Sequence, residues 1–368
     1  MNTKVNPTHI SKVKGVSNSQ LLRDITSFIE DAKSRAATSV NEILTLRNWL
    51  IGDRIQKEFL KKRRAEYGEQ IVVTLSQQLA EAYGSGFTRD SLFRMIQFAK
   101  HFHNKNIVVA LSRQLSWSHF VELVALEDNL KREFYTELCR RERWSVRTLR
   151  QKMDGLLYER TGISRKPTSL AKKELALLRT DTKMSPDLVF RDPYFLDFLG
   201  LKDSYSEKDL ETAILHDIEN FILEFGRDFT FVARQKRITI DHEDYYIDLL
   251  FYHRGMKRLV AIDLKLGKFQ AADKGQMELY LRWLDRYERR VGEKNPLGLI
   301  LCADKSDEHV QLLQIERSRI RVAQYLTVLP PKKILMQKLH DAILVAQERH
   351  NYRQLPKGIN IVSRNKQS

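Results

Sequence analysis

The sequence predicts two folded parts, an all-α N-terminal half and an α/β domain that follows it. From Leu21 to Tyr158 apolar residues recur at helical spacing, and β-branched alternation is nearly absent. After Pro186 short apolar runs typical of strands come between helical stretches. The chain has 368 residues, which is enough for two domains of about 100 to 200 residues each.

The helices of the first half follow from apolar periodicity and from the residues that can cap them. Thr88 and Ser145 stand where a hydroxyl oxygen can accept a backbone N–H of the next turn. Gly52 is the position at which the long first helix is expected to break. The predicted helices cover residues 21–60, 70–83, 89–103, 118–126, 129–142 and 146–158.

The second part begins after a stretch, 161–186, that is rich in Lys, Thr, Ser and Pro and predicts a linker. Its predicted helices cover 207–225, 271–290 and a last segment from the turn at Pro331 to about 347. The predicted strands cover 229–240, 245–253, 258–265, 297–303 and 325–329. The predicted organisation is a basic helical domain at 1–165, a linker at 166–186, an α/β domain at 187–350 and a tail at 351–368.

The chain is strongly basic, and the charge is unevenly distributed. It has 63 Lys and Arg against 47 Asp and Glu, a net charge of +16. Residues 1–180 hold 32 basic and 19 acidic residues, a balance of +13, and the remainder holds 31 and 28, a balance of +3. This excess favours nucleic acid as a partner, although it can also serve solubility alone.

Several classes of protein are excluded by composition. With Cys139 and Cys302 as its only cysteines, the chain is not a disulfide scaffold. Its start lacks the apolar core of a signal peptide, and apolar runs such as 297–303 are too short to span a membrane. We therefore expect a cytoplasmic protein with no membrane partner. A Gly-rich phosphate loop, a Cys-x-x-Cys pair and a Gly-x-Ser-x-Gly elbow are absent from the sequence.

The strands 245–253 and 258–265 predict a β-hairpin that sets two aspartates opposite each other. Gly255 suits the first central position of a type II′ turn. With that turn, the numbers of any two residues that face each other on the two strands add up to 511, so Asp248 lies across from Asp263. Lys265 is two residues further on and points to the same face.

Two facing carboxylates repel each other, so this arrangement requires a compensating charge. Hard oxygen ligands at this separation suit Mg²⁺, which keeps several waters and is completed by substrate phosphates. Lys265 would then orient or help to deprotonate an attacking water. The alternative is structural: Asp263 and Lys265 are neighbours at a solvated sheet edge, and Asp248 is hydrogen-bonded to a turn.

The aspartates and the lysine carry a resemblance to a known family. Ile-Asp at 247–248, followed by Ile-Asp-Leu-Lys at 262–265, resembles the PD-(D/E)XK nuclease signature, with Asp263 in place of the usual Glu. Longer blocks resemble the YhcG-like bacterial branch of that superfamily, at 231–235, 247–253, 262–269 and 275–280, and at 49–52, 115–119 and 144–147 in the first half. The resemblance implies a restriction-endonuclease-like domain with a central mixed sheet flanked by helices.

The resemblance also implies an activity and a set of ligands. It implies a metal-dependent phosphodiesterase that acts on DNA with Mg²⁺, for which Mn²⁺ can substitute. In that family pattern Asp248 and Asp263 bind the metal, the backbone carbonyl of Leu264 is a further ligand, and Lys265 serves the attacking water.

Further site residues come from the flanking helices. A glutamine often follows one helix after the lysine, and Gln276 matches it, with Tyr280 at i+4 on the same face toward the substrate. The alternative for both is a partly buried helix face. An acid from the preceding helix commonly completes such sites, and Glu211 is favoured over Glu219 and Glu224 as a catalytic residue and metal ligand. All three can instead be solvated helix acids.

Other residues are predicted to contact nucleic acid. Arg234 and Gln235 either contact phosphate or pair with a helix acid, and the sequence does not decide between these. The second and third predicted helices resemble a DNA-binding pair with Arg89 and Arg94 at the exposed start of the latter, although an ordinary helical hairpin fits equally well. The remaining candidates form one basic run at a helix end, Lys61, Lys62, Arg63 and Arg64. The alternative for this run is a solvated cap that complements the negative end of the helix dipole.

The function predicted from these observations is a Mg²⁺-dependent DNA nuclease whose basic helical domain binds DNA or a partner. The resemblance implies a bacterial defence or DNA-processing setting, with restriction-modification or other defence proteins as partners, and a homodimer. The alternative is a non-catalytic nucleic-acid-binding or assembly protein on a nuclease-like scaffold. RNA stays open as a substrate, because phosphate contacts carry little information about the sugar.

Overall fold

The computed structural model describes residues 18–62, 65–179, 184–201, 204–226, 228–315 and 318–354. Within these ranges the side chains of 18–21, 59–62, 65–69 and 348–354 are not described. The chain divides into two compact units, residues 1–125 and 126–368. Among the described residues, no helix is both long and apolar enough to cross a membrane.

The first unit is helical, as predicted. Its helices are α1 (Asn18–Lys62), α2 (Ala65–Tyr83), α3 (Arg89–His101), α4 (Lys105–Ser112) and α5 (Trp117–Val124). The predicted caps are confirmed in both units, since Thr88 accepts the Ser91 N–H at 3.4 Å and Ser145 accepts the Thr148 N–H at 3.1 Å. Helix α4 was not predicted, because its β-branched run of Ile107, Val108 and Val109 lacks a helical period of its own.

The predicted break of the first helix at Gly52 is wrong, because α1 continues through it. A Cβ on Gly52 would lie 1.9 Å from the backbone oxygen of Met95 in α3. The glycine is therefore required for the close approach of two helices and does not end either of them.

The second unit starts with the helices α6 (Asn129–Glu142), α7 (Val146–Asp154), α8 (Leu157–Arg160), α9 (Thr168–Arg179) and α10 (Pro186–Val189). The single helix predicted over 146–158 is interrupted, since Leu156 adopts a left-handed backbone with a φ of 52°. The segment predicted as a linker contains α9, whose Ala171, Leu175 and Leu178 are fully buried. The predicted domain boundaries remain a prediction.

A six-stranded mixed sheet forms the centre of the second unit, as the predicted fold class requires. Its strands are β1 (Tyr194–Phe195), β2 (Phe229–Ile240), β3 (Glu243–His253), β4 (Arg258–Lys268), β5 (Leu297–Asp304) and β6 (Ile320–Leu326). Their order is β1-β6-β5-β4-β3-β2, with parallel pairs from β1 to β4 and antiparallel pairs from β4 to β2. The accompanying helices are α11 (Glu207–His216), α12 (Ile218–Phe225), α13 (Ala271–Tyr287), α14 (Asp307–Leu312) and α15 (Lys332–Gln354).

Two predicted elements of this unit differ from the structure. The helix predicted over 207–225 breaks at Asp217, which has a φ of −118° and accepts hydrogen bonds from the Asn220 amide at 2.9 and 3.0 Å. The strand predicted at 325–329 is β6 at Ile320–Leu326, because its pairing with β5 begins at Ile320. The core between β3, β4, β5 and α13 includes Ile247, Met277 and Ile300.

Candidate active site

The β3–β4 hairpin has the predicted register. Leu249 pairs with Ile262 and His253 with Arg258, so paired positions sum to 511. The ladder of paired residues ends at Leu249 and Ile262, one residue before the aspartates. Asp248 Oδ2 instead accepts the backbone N–H of Leu264 at 2.8 Å. The carboxylate thus takes the place of a strand partner at the point where the ladder stops.

The predicted type II′ turn is wrong. Lys257, and not Gly255, has the positive φ, 51°, and the Lys257 N–H donates to the carbonyl oxygen of Arg254 at 3.2 Å. A Cβ on Gly255 would lie 2.4 Å from Asp228 Oδ2. A Cβ at residue 255 would therefore displace the Asp228 carboxylate, a long-range contact that turn statistics do not contain.

Asp263 is a buried carboxylate whose charge is poorly compensated. Its exposed fraction is 2%. Burial raises its pKa to about 7, the positive charge of Lys265 opposes this rise, and the negative charge of Asp248 adds to it. Lys265 Nζ lies 3.0 Å from Asp263 Oδ2, yet this oxygen has no hydrogen-bond partner among the described residues. The site therefore holds an oxygen that could accept a further positive group.

The other two charged groups respond to the same surroundings. Burial raises the pKa of Asp248, and the hydrogen bonds from Leu264 and Gln235 oppose this. Burial lowers the pKa of Lys265, but Asp263 outweighs that effect, so the pKa lies above its usual value. The lysine is therefore held in its charged form beside the two aspartates.

Glu211 is joined to this site through Gln235. Its side chain is buried, and it accepts hydrogen bonds from Arg234 Nε and, at 2.6 Å, from Gln235 Nε2. The same Gln235 nitrogen lies 3.1 Å from Asp248 Oδ1. Gln235 has a φ of 43°, a left-handed conformation that is uncommon for a side-chain-bearing residue. Two roles were left open for Arg234 and Gln235, and in the structure both side chains pair with a helix acid, Glu211.

The other candidate acids lie elsewhere. Glu224 accepts the Phe195 N–H at 3.1 Å and pairs with two buried arginines, Arg160 and Arg191. Glu219 is exposed on α12. Because the helix breaks at Asp217, Glu211 lies on α11, whereas Glu219 and Glu224 lie on α12.

Gln276 and Tyr280 lie on α13 next to the hairpin. The Gln276 amide donates to the Tyr280 hydroxyl, and that hydroxyl donates to the Tyr246 carbonyl oxygen at 3.0 Å. Tyr280 is only 1% exposed, whereas Gln276 is half-buried. Tyr280 is thus a core residue that orients Gln276, which agrees with the buried-face alternative; DNA contact by Tyr280 stays a prediction.

Glu207 was missed by the sequence reasoning. Its Oε1 accepts the backbone N–H of Leu266 at 3.2 Å, where β4 has a register irregularity between Lys265 and Lys268. It lies one turn before Glu211, at the i+4 spacing that brings side chains to one helix face. That spacing is the signal that could have indicated it.

The residues of the hairpin fit a divalent cation. No cluster of three or more His, Cys, Asp and Glu side chains with metal-binding geometry occurs in the described parts of the chain. The donors here are instead Asp248, Asp263 and the carbonyl of Leu264, a set of hard oxygens like those that hold Mg²⁺ together with water and phosphate. The observation that supports the fit is the buried Asp263 Oδ2, which is ion-paired with Lys265 but accepts no hydrogen bond from the described residues.

The predicted basic contacts of the first unit are only partly described. Arg89 and Arg94 are exposed near the start of α3, as predicted, and the guanidinium of Arg89 lies 5.3 Å from the Phe93 ring centroid. Of the basic run, the structure describes only the backbone of Lys61 and Lys62. The side chains of this run, with Arg63 and Arg64 as a whole, lie outside the described residues.

Taken together, a mixed sheet, an antiparallel hairpin with two aspartates and an adjacent lysine define a nuclease core of the PD-(D/E)XK class. Residues 187–340 match the family described as the YhcG PDDEXK nuclease domain, and residues 24–160 match the DUF1016 N-terminal domain. The chain therefore belongs to the YhcG family of PD-(D/E)XK nucleases.

Similar proteins include one from Escherichia coli (strain K12) that carries the name "Putative nuclease YhcG". It is 32% identical over 366 residues, covering 91% of this chain and 96% of that protein. Among solved structures, a repair endonuclease from Pyrococcus abyssi has a TM-score of 0.24 and 21% identity over 35% of this chain. EndoMS in its apo form has a TM-score of 0.24 and 16% identity over 39%. The aligned part spans half the length of each of these two structures.

Proposed function

We propose that this protein is a Mg²⁺-dependent nuclease that hydrolyses phosphodiester bonds of DNA. The observation that carries the proposal is the pair of aspartates beside Lys265, the half-buried Asp248 and the buried Asp263, whose Oδ2 is ion-paired with Lys265 but has no hydrogen bond. Such a pair is unfavourable in the free protein, and a divalent cation relieves the repulsion. The family membership supports hydrolysis of nucleic acid at these residues.

Asp248, Asp263 and the carbonyl of Leu264 would hold the cation, and Mn²⁺ would fit the same oxygens. When bound, a divalent cation supplies Lewis-acid stabilisation of the charge that develops on the scissile phosphate. Lys265 orients the attacking water and balances negative charge, because its raised pKa keeps it protonated at neutral pH. Gln276, held by Tyr280, donates hydrogen bonds toward the phosphate, and Glu211 positions Asp248 through Gln235.

The first unit is part of the proposal as the DNA-binding or partner-binding module. Its exposed Arg89 and Arg94, on a chain with a net charge of +16, suit phosphate contacts. The exposed apolar side chains of α1, Leu22, Ile25, Phe28 and Ile29, suit a second copy of the chain, which would give the homodimer. Defence proteins as partners and a cytoplasmic location rest on the family resemblance.

The competing function is a non-catalytic scaffold that binds nucleic acid without cutting it. The presence of Asp248, Asp263 and Lys265 together disfavours it, since a scaffold gains nothing from two repelling carboxylates, one of which is buried. Both functions predict DNA binding, so only cleavage separates them.

The test is cleavage of supercoiled plasmid, linear duplex, single-stranded DNA and RNA with Mg²⁺, Mn²⁺ or EDTA. We expect metal-dependent cutting by the wild type and by the control Glu219→Gln, whose carboxylate is exposed and away from the site. Asp263→Ala and Lys265→Ala should lower the rate by at least about a hundredfold while DNA binding is retained. Undiminished cutting by both variants would refute the site, and binding without cutting under any metal would favour the scaffold.

A further inference from the structure

The second unit contains a cavity of about 400 Å³ that is not part of the candidate active site. Its walls come from β6, α14, α15 and the segments around 160–170 and 187–192. Neither the aspartates of the hairpin nor Lys265, Gln276 or Glu211 line it. This volume lies within the range of about 300 to 1,000 Å³ that is typical of small-molecule sites.

Cationic side chains dominate the polar lining of the cavity. It contains six cations against three carboxylates, with the cations being Arg160, Arg165, Lys166, Arg191, Lys305 and Arg321. Two further acids pair with these cations from outside the lining, Glu174 with Lys166 and Glu224 with both Arg160 and Arg191. The lining and these two outer acids together contain six cations and five carboxylates.

The two inner carboxylates are each shared between two cations. Asp192 pairs with Arg165 at 3.0 Å and with Lys305, and the Gln324 N–H donates to its other oxygen at 3.0 Å. Asp187 pairs with Lys166 at 2.5 Å and with Arg321 at 3.7 Å. The remaining carboxylate, Asp307, is exposed. The cations of the cavity are thus held in place by carboxylates, but each of the two inner carboxylates is shared by two cations.

Two buried donors of the lining lack an acceptor. The Nε atoms of Arg165 and Arg191 are buried and have no hydrogen-bond partner among the described residues, and Arg191 as a whole is 6% exposed. A buried N–H without an acceptor is unfavourable, so such groups usually meet a ligand, an ion or water. Because both atoms have almost no accessible surface, the oxygens of an anionic ligand reach them only if the guanidinium groups turn toward the cavity.

The rest of the lining is apolar. Phe190, Ile315 and Val322 provide large side chains, and Ala342 and Ala346 of α15 leave the space open because they are small. An inorganic anion would use only the cationic part of this cavity. The combined lining suits a ligand with a phosphate at one end and an uncharged, planar or apolar body at the other.

We propose that this cavity binds a small phosphate ester of about the size of a nucleoside monophosphate. The cations bind the phosphate, and the apolar wall packs against the nucleoside. The site is separate from the hairpin aspartates, so the proposal does not rest on the nuclease function. Sugar phosphates share the phosphate chemistry but lack the planar body, and they form a separate arm of the test.

The test is isothermal titration of the full chain, in EDTA, with four probes: thymidine 5′-monophosphate, thymidine, ribose 5-phosphate and inorganic phosphate. We expect saturable binding of the nucleotide at least about tenfold tighter than that of the other three, since thymidine lacks the charge-assisted contacts of the phosphate and the two remaining probes lack the base that packs on the apolar wall. Equal binding of inorganic phosphate would refute the role of the apolar wall. No saturable nucleotide binding would refute the site.

Substitutions in the cavity wall test whether the nucleotide binds in this cavity. Arg321→Gln removes a cation and Ala342→Phe fills space while leaving every charge in place; each should weaken nucleotide binding at least about tenfold. The control Arg286→Gln, at an exposed arginine outside the cavity, should bind as the wild type does. Circular dichroism shows whether each variant is folded. If Arg321→Gln is unfolded, Ala342→Phe alone provides the test. Unchanged nucleotide binding in a folded cavity variant would overturn the proposal. Asp263→Ala should bind the nucleotide as the wild type does. A failure of the cavity proposal can therefore be told apart from a failure of the nuclease function.

Discussion

Asp263 shows how the burial of a single carboxylate can lower the stability of the folded chain. Its pKa of about 7 in the folded chain lies above the ordinary value of about 4. For an acid with a raised pKa, the destabilisation is absent at low pH, appears as pH rises past the unfolded-state value and is complete above pH 7.

We therefore expect Asp263→Asn to stabilise the metal-free protein at pH 8, on the order of 3 kcal/mol, and to have little effect near pH 4. Thermal unfolding in EDTA across this range measures the effect. Asp241→Asn, at an exposed aspartate, is the matched control and should change little. A variant that is less stable than the wild type at pH 8 would contradict the prediction.

The three glutamates considered for the site have three different surroundings, and their substitutions should differ accordingly. Glu224→Gln leaves Arg160 and Arg191 buried, at 3% and 6% exposure, without their shared anion. We expect a loss of about 3 kcal/mol of unfolding free energy, since breaking a buried ion pair strands a charge.

Urea unfolding of the three Gln variants provides the comparison. Glu219→Gln should be neutral, and Glu211→Gln should affect cleavage more than stability, because Glu211 is linked to Asp248 through Gln235. A neutral Glu224→Gln would show that the arginines find other partners.

At the scale of elements, α1 and α3 meet at Gly52, where a side chain has no room. A Cβ there would lie 1.9 Å from the Met95 backbone oxygen, and backbone cannot move aside as a flexible side chain can. Gly52→Ala should therefore force the helices apart and cost about 3 kcal/mol, despite the better helix propensity of alanine. Gly86→Ala is the control, since a Cβ there meets nothing within 4 Å. Equal stability of both variants by thermal unfolding would contradict this packing argument.

Some features of the helices and strands could be predicted from the local sequence, and others could not. The caps at Thr88 and Ser145 act within one turn, so a local pattern was sufficient. Apolar periodicity predicted neither the break at Asp217, where the side chain bonds the Asn220 amide, nor the start of β6 at Ile320, where pairing with β5 begins. Gly52 illustrates the same limit, because its helix partner is 43 residues away, at Met95.

At the scale of the whole molecule, the charge of +16 predicts how DNA binding responds to salt. Each phosphate contact adds about one to the slope of log K against log salt, through release of counterions. If Arg89 and Arg94 contact phosphate, the double variant Arg89→Gln, Arg94→Gln should reduce that slope by about two. Lys100→Gln, exposed at the other end of α3, is the control, and fluorescence anisotropy across a salt series is the measurement. An unchanged slope would remove these arginines from the DNA-binding surface.

The sequence by itself determined the helical and α/β halves, the basic charge, the family blocks and the register that aligns Asp248 with Asp263. These features depend on period, composition or a short loop, all of which are local. Only the tertiary structure decided that Gln235 joins Glu211 to Asp248 and that Glu224 pairs with buried arginines. Those contacts join residues from separate elements, and the burial that gives Asp263 its raised pKa arises only when the sheet and its helices pack around it.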